Sequence, residues 1–104
     1  MVKSILTAAG VKFRKTRFLS PPTGSYVVYF DDVETDGPDG LPRIYKHDYT
    51  VELYEHTPDD AIENAIEIAI AEAGLQYTKQ DRYWLQDEQL YQVIYNFNFI
   101  EKRR

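Results

Sequence analysis

A chain of 104 residues has the length of one domain, and 43% hydrophobic with 28% charged residues places it among globular sequences and away from disordered ones. The absence of cysteine excludes a disulfide framework, a thiolate metal site and a cysteine nucleophile. A formal charge of −5 argues against general nucleic-acid binding, and no apolar stretch approaches the ~20 residues of a membrane-spanning helix or makes a secretory signal.

Met1 to Gly10 is predicted to be a short helix, with Ile5, Leu6 and Ala9 at helical spacing and Gly10 as its stop. Val11 to Leu19 is basic and irregular, and partly extended. Ser20-Pro-Pro-Thr-Gly24 breaks the chain, because neither proline continues a helix or a central ladder. Tyr26-Val-Val-Tyr-Phe30 is β-branched and aromatic and reads as a strand, with Tyr26, Val28 and Phe30 on one face and Val27 and Tyr29 on the other. Residues 31–43 carry aspartates, glycines and prolines and read as a long, flexible acidic loop. Tyr45 to His56 is a second strand that pairs antiparallel with the first and buries Tyr49, Val51 and Leu53.

The best-marked element follows. Thr57 is the expected N-cap, Pro58 the first helical residue, and Asp59 and Asp60 face the positive end of the dipole. Ile62, Ala65, Ile66, Ala69, Ile70 and Ala73 form an apolar stripe. Asp60, Glu63, Asn64 and Glu67 form the opposite, solvated face, and Gly74 ends the helix. Tyr77 to Leu85 is mixed and strand-like from Arg82. Gln86 to Gln89 turns the chain. Leu90 to Ile100 is the longest strand, with Tyr91, Val93, Tyr95, Phe97 and Phe99 facing the core. Lys102-Arg-Arg104 is a basic tail. The expected fold is therefore a single α+β domain: an antiparallel sheet of about four strands with two helices on one face, in the order α-β-β-α-β-β.

Charge is unevenly spread. Residues 1–20 hold five bases (Lys3, Lys12, Arg14, Lys15, Arg17) and no acid, whereas residues 31–72 hold 13 acids against Arg43 and Lys46. A chain polarised in this way can steer a copy of itself or a partner of opposite sign, although an acidic helix face and a basic tail are also simply solvated.

No reactive constellation emerges from the sequence. His47 and His56 flank one strand and read as exposed strand-end histidines. Ser4, Ser20 and Ser25 lie in no nucleophile elbow, and the glycines make no phosphate loop. The acidic loop departs from the spacing of a calcium-binding EF-hand. Glu63 and Glu67 look like a solvated i,i+4 pair. An enzyme is the weakest reading, and no cofactor or metal is expected. Tyr29, Tyr54 and Tyr45 fall opposite the expected core, a placement that suits a protein interface. A single-stranded nucleic-acid platform would need a basic surround, where this chain has Asp31, Glu52 and Glu55.

The whole layout resembles a family of short proteins from double-stranded DNA phages and prophages of Gram-positive hosts. The resemblance lies in a short opening helix and a Pro-rich turn into Gly24-Ser-Tyr-Val-Val-Tyr-Phe30. An acidic Gly-containing segment comes next, then Tyr49-Thr-Val-Glu-Leu-Tyr54 and a helix starting Asp59-Asp-Ala-Ile-Glu-Asn-Ala-Ile66. It ends in Ala73-Gly-Leu-Gln-Tyr-Thr-Lys79 and Leu90-Tyr-Gln-Val-Ile-Tyr95. Such proteins are tail-completion, or tail-terminator, proteins. The resemblance implies a non-enzymatic virion protein at the head–tail junction, made in the host cytoplasm. It implies self-assembly into a ring, a hexamer in that family, that caps the tail tube and meets the major tail-tube protein and the head connector while DNA passes through. The alternatives are another head-completion or connector protein, or a small protein-binding module outside the virion. Interface residues are expected on the charge pattern at Arg14, Arg17, Asp31, Asp32, Glu34, Asp36, Lys102, Arg103 and Arg104, and on their sheet face at Tyr29 and Tyr54, with no membrane contact.

Overall fold

A computed structural model describes residues 1–37 and 43–103. Its elements are α1 (Val2–Ala9), β1 (Lys12–Lys15), β2 (Tyr26–Asp36), β3 (Ile44–Glu55), α2 (Asp60–Glu72), β4 (Tyr77–Lys79), β5 (Tyr83–Leu85) and β6 (Leu90–Lys102). The α+β class and the single antiparallel centre agree with expectation, but the sheet has six strands, not about four. Its order is β1-β2-β3-β6-β4, with β5 also on β6.

Both helices lie on one face. Val2, Ile5 and Leu6 of α1 and Ile66, Ala69 and Ile70 of α2 share a core with Val27, Tyr29, Val51, Leu53, Val93 and Tyr95. Leu6, Ile66, Ile70 and Tyr95 are wholly removed from water. Gly10 and Gly74 sit at φ of 75° and 78°, the left-handed conformation that stops each helix without a Cβ penalty.

The structure corrects several expectations. The basic segment after α1 contains β1, which runs parallel to β2, with Lys12 opposite Tyr26 and Lys15 opposite Tyr29. Phe13 anchors it on the helix side, 6.1 Å from the Tyr29 ring. The connection back to β2 crosses the far face, where Phe18 packs edge-on against Tyr26 at 5.3 Å. Tyr26, Val28 and Leu90 make a second, smaller core there. Both faces of Tyr26–Phe30 are thus covered at the root of the sheet, and the main core takes Val27 and Tyr29.

Residues 31–36 are strand, not loop. β2 and β3 pair in unbroken register from Tyr26↔Tyr54 to Asp36↔Ile44, and β3 continues with β6 from Glu55↔Tyr91 to Ile44↔Lys102. The single long neighbour β3, itself backed by β6, therefore holds the aspartates in a ladder that their own propensity disfavours. Lys102 closes β6 and does not start a free tail. The part of the expected loop at 38–42 lies outside the described residues.

Helix α2 begins later than its sequence signals suggest. Asp59, not Thr57, is the N-cap: its Oδ1 accepts from the Ile62 N–H at 3.2 Å. Ser25 Oγ donates to Asp59 Oδ2 at 3.0 Å, and the Asp59 N–H donates to Glu55 Oε2 at 2.9 Å.

β1, β4 and β5 flank only the root of the sheet, and no buried residue lies beyond Tyr49 on β3 or Phe97 on β6. The far halves of β2, β3 and β6 protrude as a three-stranded arm. The extents are 49 × 27 × 21 Å, and the radius of gyration of 15.1 Å exceeds the ~13 Å of a compact chain this long.

Candidate functional site

Polar side chains gather at two places, one at the root of the sheet and one along the arm. At the root, the alternation that buries Tyr49, Val51 and Leu53 carries on to Glu55, which is 0% exposed. Helix α2 turns Glu63 toward it, and the β4–β5 connection supplies Arg82. The Arg82 guanidinium reaches Glu55 Oε1 at 3.3 Å and Glu63 Oε2 at 2.5 Å. Lys79 bridges Glu63 and Glu67 at 2.9 Å each, and Tyr95 donates to Glu67 Oε2 at 2.7 Å. Burial, and then the neighbouring Glu63, push the Glu55 carboxyl up to about 7. Burial acts the same way on Glu63, but Lys79 and Arg82 overcome it and hold that carboxyl low. Burial and the Glu67 carboxylate raise Tyr95. Among the described residues no buried side-chain donor or acceptor lacks a partner, and the cluster ties α2, β3 and the β4–β5 connection together. It also corrects the reading of Glu63 and Glu67 as a solvated pair.

Along the arm, His47 points to the helix side. Its Nδ1 lies 2.9 Å from Asp31 Oδ1 and its Nε2 lies 3.2 Å from Glu101 Oε1. Its ring stacks on Tyr49 at 5.4 Å and meets Phe99 at 6.1 Å. With a side chain only 14% exposed, His47 is not the open strand-end histidine that the sequence suggests; His56 is. Arg103 lies 3.8 Å over the Tyr45 ring and pairs with Glu101 at 3.0 Å. Arg103 and then His47 lower the Glu101 carboxyl.

The structure sorts the expected interface residues. Tyr29 is 3% exposed in the main core and is unavailable to a partner. It lies opposite Val51, on the face that the helices cover, because β2 offers that face Val27 and Tyr29. Tyr54 is half-buried: it stacks on Tyr26 at 5.2 Å and donates to Glu52 at 2.9 Å, and burial followed by Glu52 pushes its hydroxyl up to about 12. Asp31 is engaged by His47. Asp32, Glu34 and Asp36 are exposed along the β2 side of the arm, and Lys102 and Arg103 are exposed on its β6 side. Arg14, with its guanidinium 5.4 Å from the Phe18 ring, and Arg17 are exposed at the root on the β1 side. Arg104 lies outside the described residues. The arm therefore gathers the acids on one edge and bases on the other, while Val33 and Ile100 stand exposed on those same strands. The cluster of Glu55, Glu63 and Arg82 went unread, although the parity of Glu55 with Leu53 is a signal for it. Among the described residues no group of histidines and carboxylates is arranged to hold a metal ion.

No family model matches the sequence, and no curated protein matches it. Among solved structures, the fold is similar to that of a chain described as part of the virion of a native gene transfer agent particle. The likeness has a TM-score of 0.60 and covers 94% of this chain and 84% of that one, at 14% identity.

Proposed function

We propose that this chain is a structural protein of a phage-like virion, and specifically a tail-completion protein that forms a ring between tail tube and head connector. The observation that carries the virion reading is the fold likeness, over 94% of the chain, to a chain described as belonging to a gene transfer agent virion. The tail-completion role rests on the resemblance in element layout and on the charge pattern. A ring needs head-to-tail contacts in which one patch meets a different patch on the neighbour. The acidic β2 edge and the Lys102–Arg103 end of β6 are two such unlike patches on one arm. In this reading the protein works by assembly and catalyses nothing.

The test is electron microscopy of the concentrated protein and of particles made without it. Rings on the ends of tail tubes, and separated heads and tubes in its absence, are the expected result. Tailed particles of normal form without the chain overturn the role. Unfilled heads that lack an adaptor beneath normal tubes assign it to head completion.

A further inference from the structure

We propose that copies of this chain join through their arms by edge pairing, with β2 of one copy hydrogen-bonded in parallel to β6 of the next. The proposal rests on the ring reading in one respect: with the arms set parallel to the ring axis, a closed rotation keeps equivalent residues of neighbouring copies at equal height along the strands.

The backbone supplies the argument. The Thr16 N–H donates to the Tyr29 carbonyl at 3.0 Å, so Tyr29 directs its backbone groups out of the sheet on the β2 side. The ladder from Tyr26 to Asp36 is unbroken, so Asp31, Val33 and Thr35 direct theirs the same way. β1 stops at Tyr29, and no described strand meets these three residues. On the other edge the Gln80 N–H donates to the Ile94 carbonyl at 2.9 Å, so Asn98, Ile100 and Lys102 direct their backbone groups outward beyond the last β4 partner, Phe97. Each edge thus offers an open row of equal length, the kind of edge that recruits another strand unless it is covered.

The two rows fit in only some registers. A parallel ladder needs each outward-facing residue of one strand to stand opposite an inward-facing residue of the other. Within the chain Val33, His47 and Phe99 lie at one height, as do Asp36, Ile44 and Lys102. At equal height between copies, Val33 meets Phe99 of the next copy and its N–H and C=O face Asn98 and Ile100. That is the required parity, and a slip of one residue destroys it. The same register sets Asp36 beside the next copy's Lys102 and Val33 beside Phe99, which joins opposite charges and covers exposed apolar area. Pairing β2 with β2 would set Asp32, Glu34 and Asp36 against one another, so charge selects the head-to-tail contact over a two-fold dimer.

Because the chain has no cysteine, the contact can be read by one engineered disulfide. Within a copy β3 separates Asp36 from Lys102, which places them about 9.6 Å apart, beyond the ~4.4–6.8 Å that a disulfide spans. Across the proposed contact they are ~4.8 Å apart. The Asp36→Cys, Lys102→Cys double variant, oxidised where sedimentation shows the wild type to be multimeric, is expected to give covalent multimers and a closed species. The Asp36→Cys, Glu101→Cys pair, whose side chains leave opposite faces, is expected to give none. Val33→Pro removes an outward N–H without touching the ladder to β3. It is expected to weaken self-association at least tenfold while circular dichroism and melting stay those of the wild type. Wild-type-like association of that variant, or no covalent multimers from the first pair, overturns the edge pairing and leaves the ring reading standing. A wild type that stays monomeric up to about 1 mM overturns self-pairing, and the ring reading is then decided by imaging tube ends.

Discussion

Glu55 is a carboxyl that folding takes out of water, and its effect on stability has a definite sign. Its folded pKa, about 7, lies above its ordinary value of 4.5. Its contribution is therefore complete below about pH 4.5 and is lost as pH rises through 7. Glu63 and Glu67 act oppositely: their lowered values stabilise the fold above the ordinary carboxylate range and fail as acid protonates them. Glu55→Gln, which keeps the shape and one of the two accepting oxygens but cannot ionise, is expected to remove the loss on the alkaline side. Relative to that variant, the wild type should lose on the order of 2 kcal/mol between pH 5 and 7.5. Thermal unfolding of both proteins across that range checks it, and parallel curves refute it. The burial of Glu55 was legible in its alternation with Leu53. The arginine that reaches it lies 27 residues away in the sequence, in a segment with no periodicity to reveal where it points.

At the scale of elements, local signals worked where they were redundant and failed where tertiary pairing decided. The α2 stripe and the glycine stops of both helices were plain. The cap was not, because Thr57 and Asp59 are both capping residues and the choice belongs to Ser25 and Glu55, which hold Asp59 from other elements. Asp59→Ala is expected to cost about 1 kcal/mol and Thr57→Ala less than about 0.5 kcal/mol; denaturant midpoints of the two variants separate the caps, and equal losses would contradict the assignment. The face of Tyr26–Phe30 was illegible for the opposite reason. Apolar residues fill both faces, and the protein uses both, one against the helices and one against Phe18 and Leu90. The acidic 31–36 strand was hidden by its composition, since aspartate marks turns and only its long partner β3 forces it into a ladder. β1 is four residues of Lys-Phe-Arg-Lys, too short to show a period.

At the scale of the whole molecule, the arm explains both the elongation and the separation of charge. The expectation that Asp31 is an open contact gives way to its engagement by His47, which leaves Asp36 as the acid best placed to meet a neighbour's Lys102. A contact of exposed charges weakens as the screening length falls from ~10 Å at 0.1 M salt to ~3 Å at 1 M. The multimeric fraction measured by sedimentation is therefore expected to fall across that range. A fraction unchanged by salt would assign the contact to its backbone and apolar parts alone.

The lone tryptophan adds a practical consequence. Trp84 sits on β5, 38% exposed, with its ring centre 4.8 Å from that of Tyr91. Ile100 near the arm tip is about 30 Å farther along β6, at roughly 3.3 Å per residue. Indole emission therefore watches one pole of the molecule. Docking of a tube or connector at the root should alter its colour or intensity, while joining of arms should pass unseen, so a single cuvette can tell which end has been occupied first.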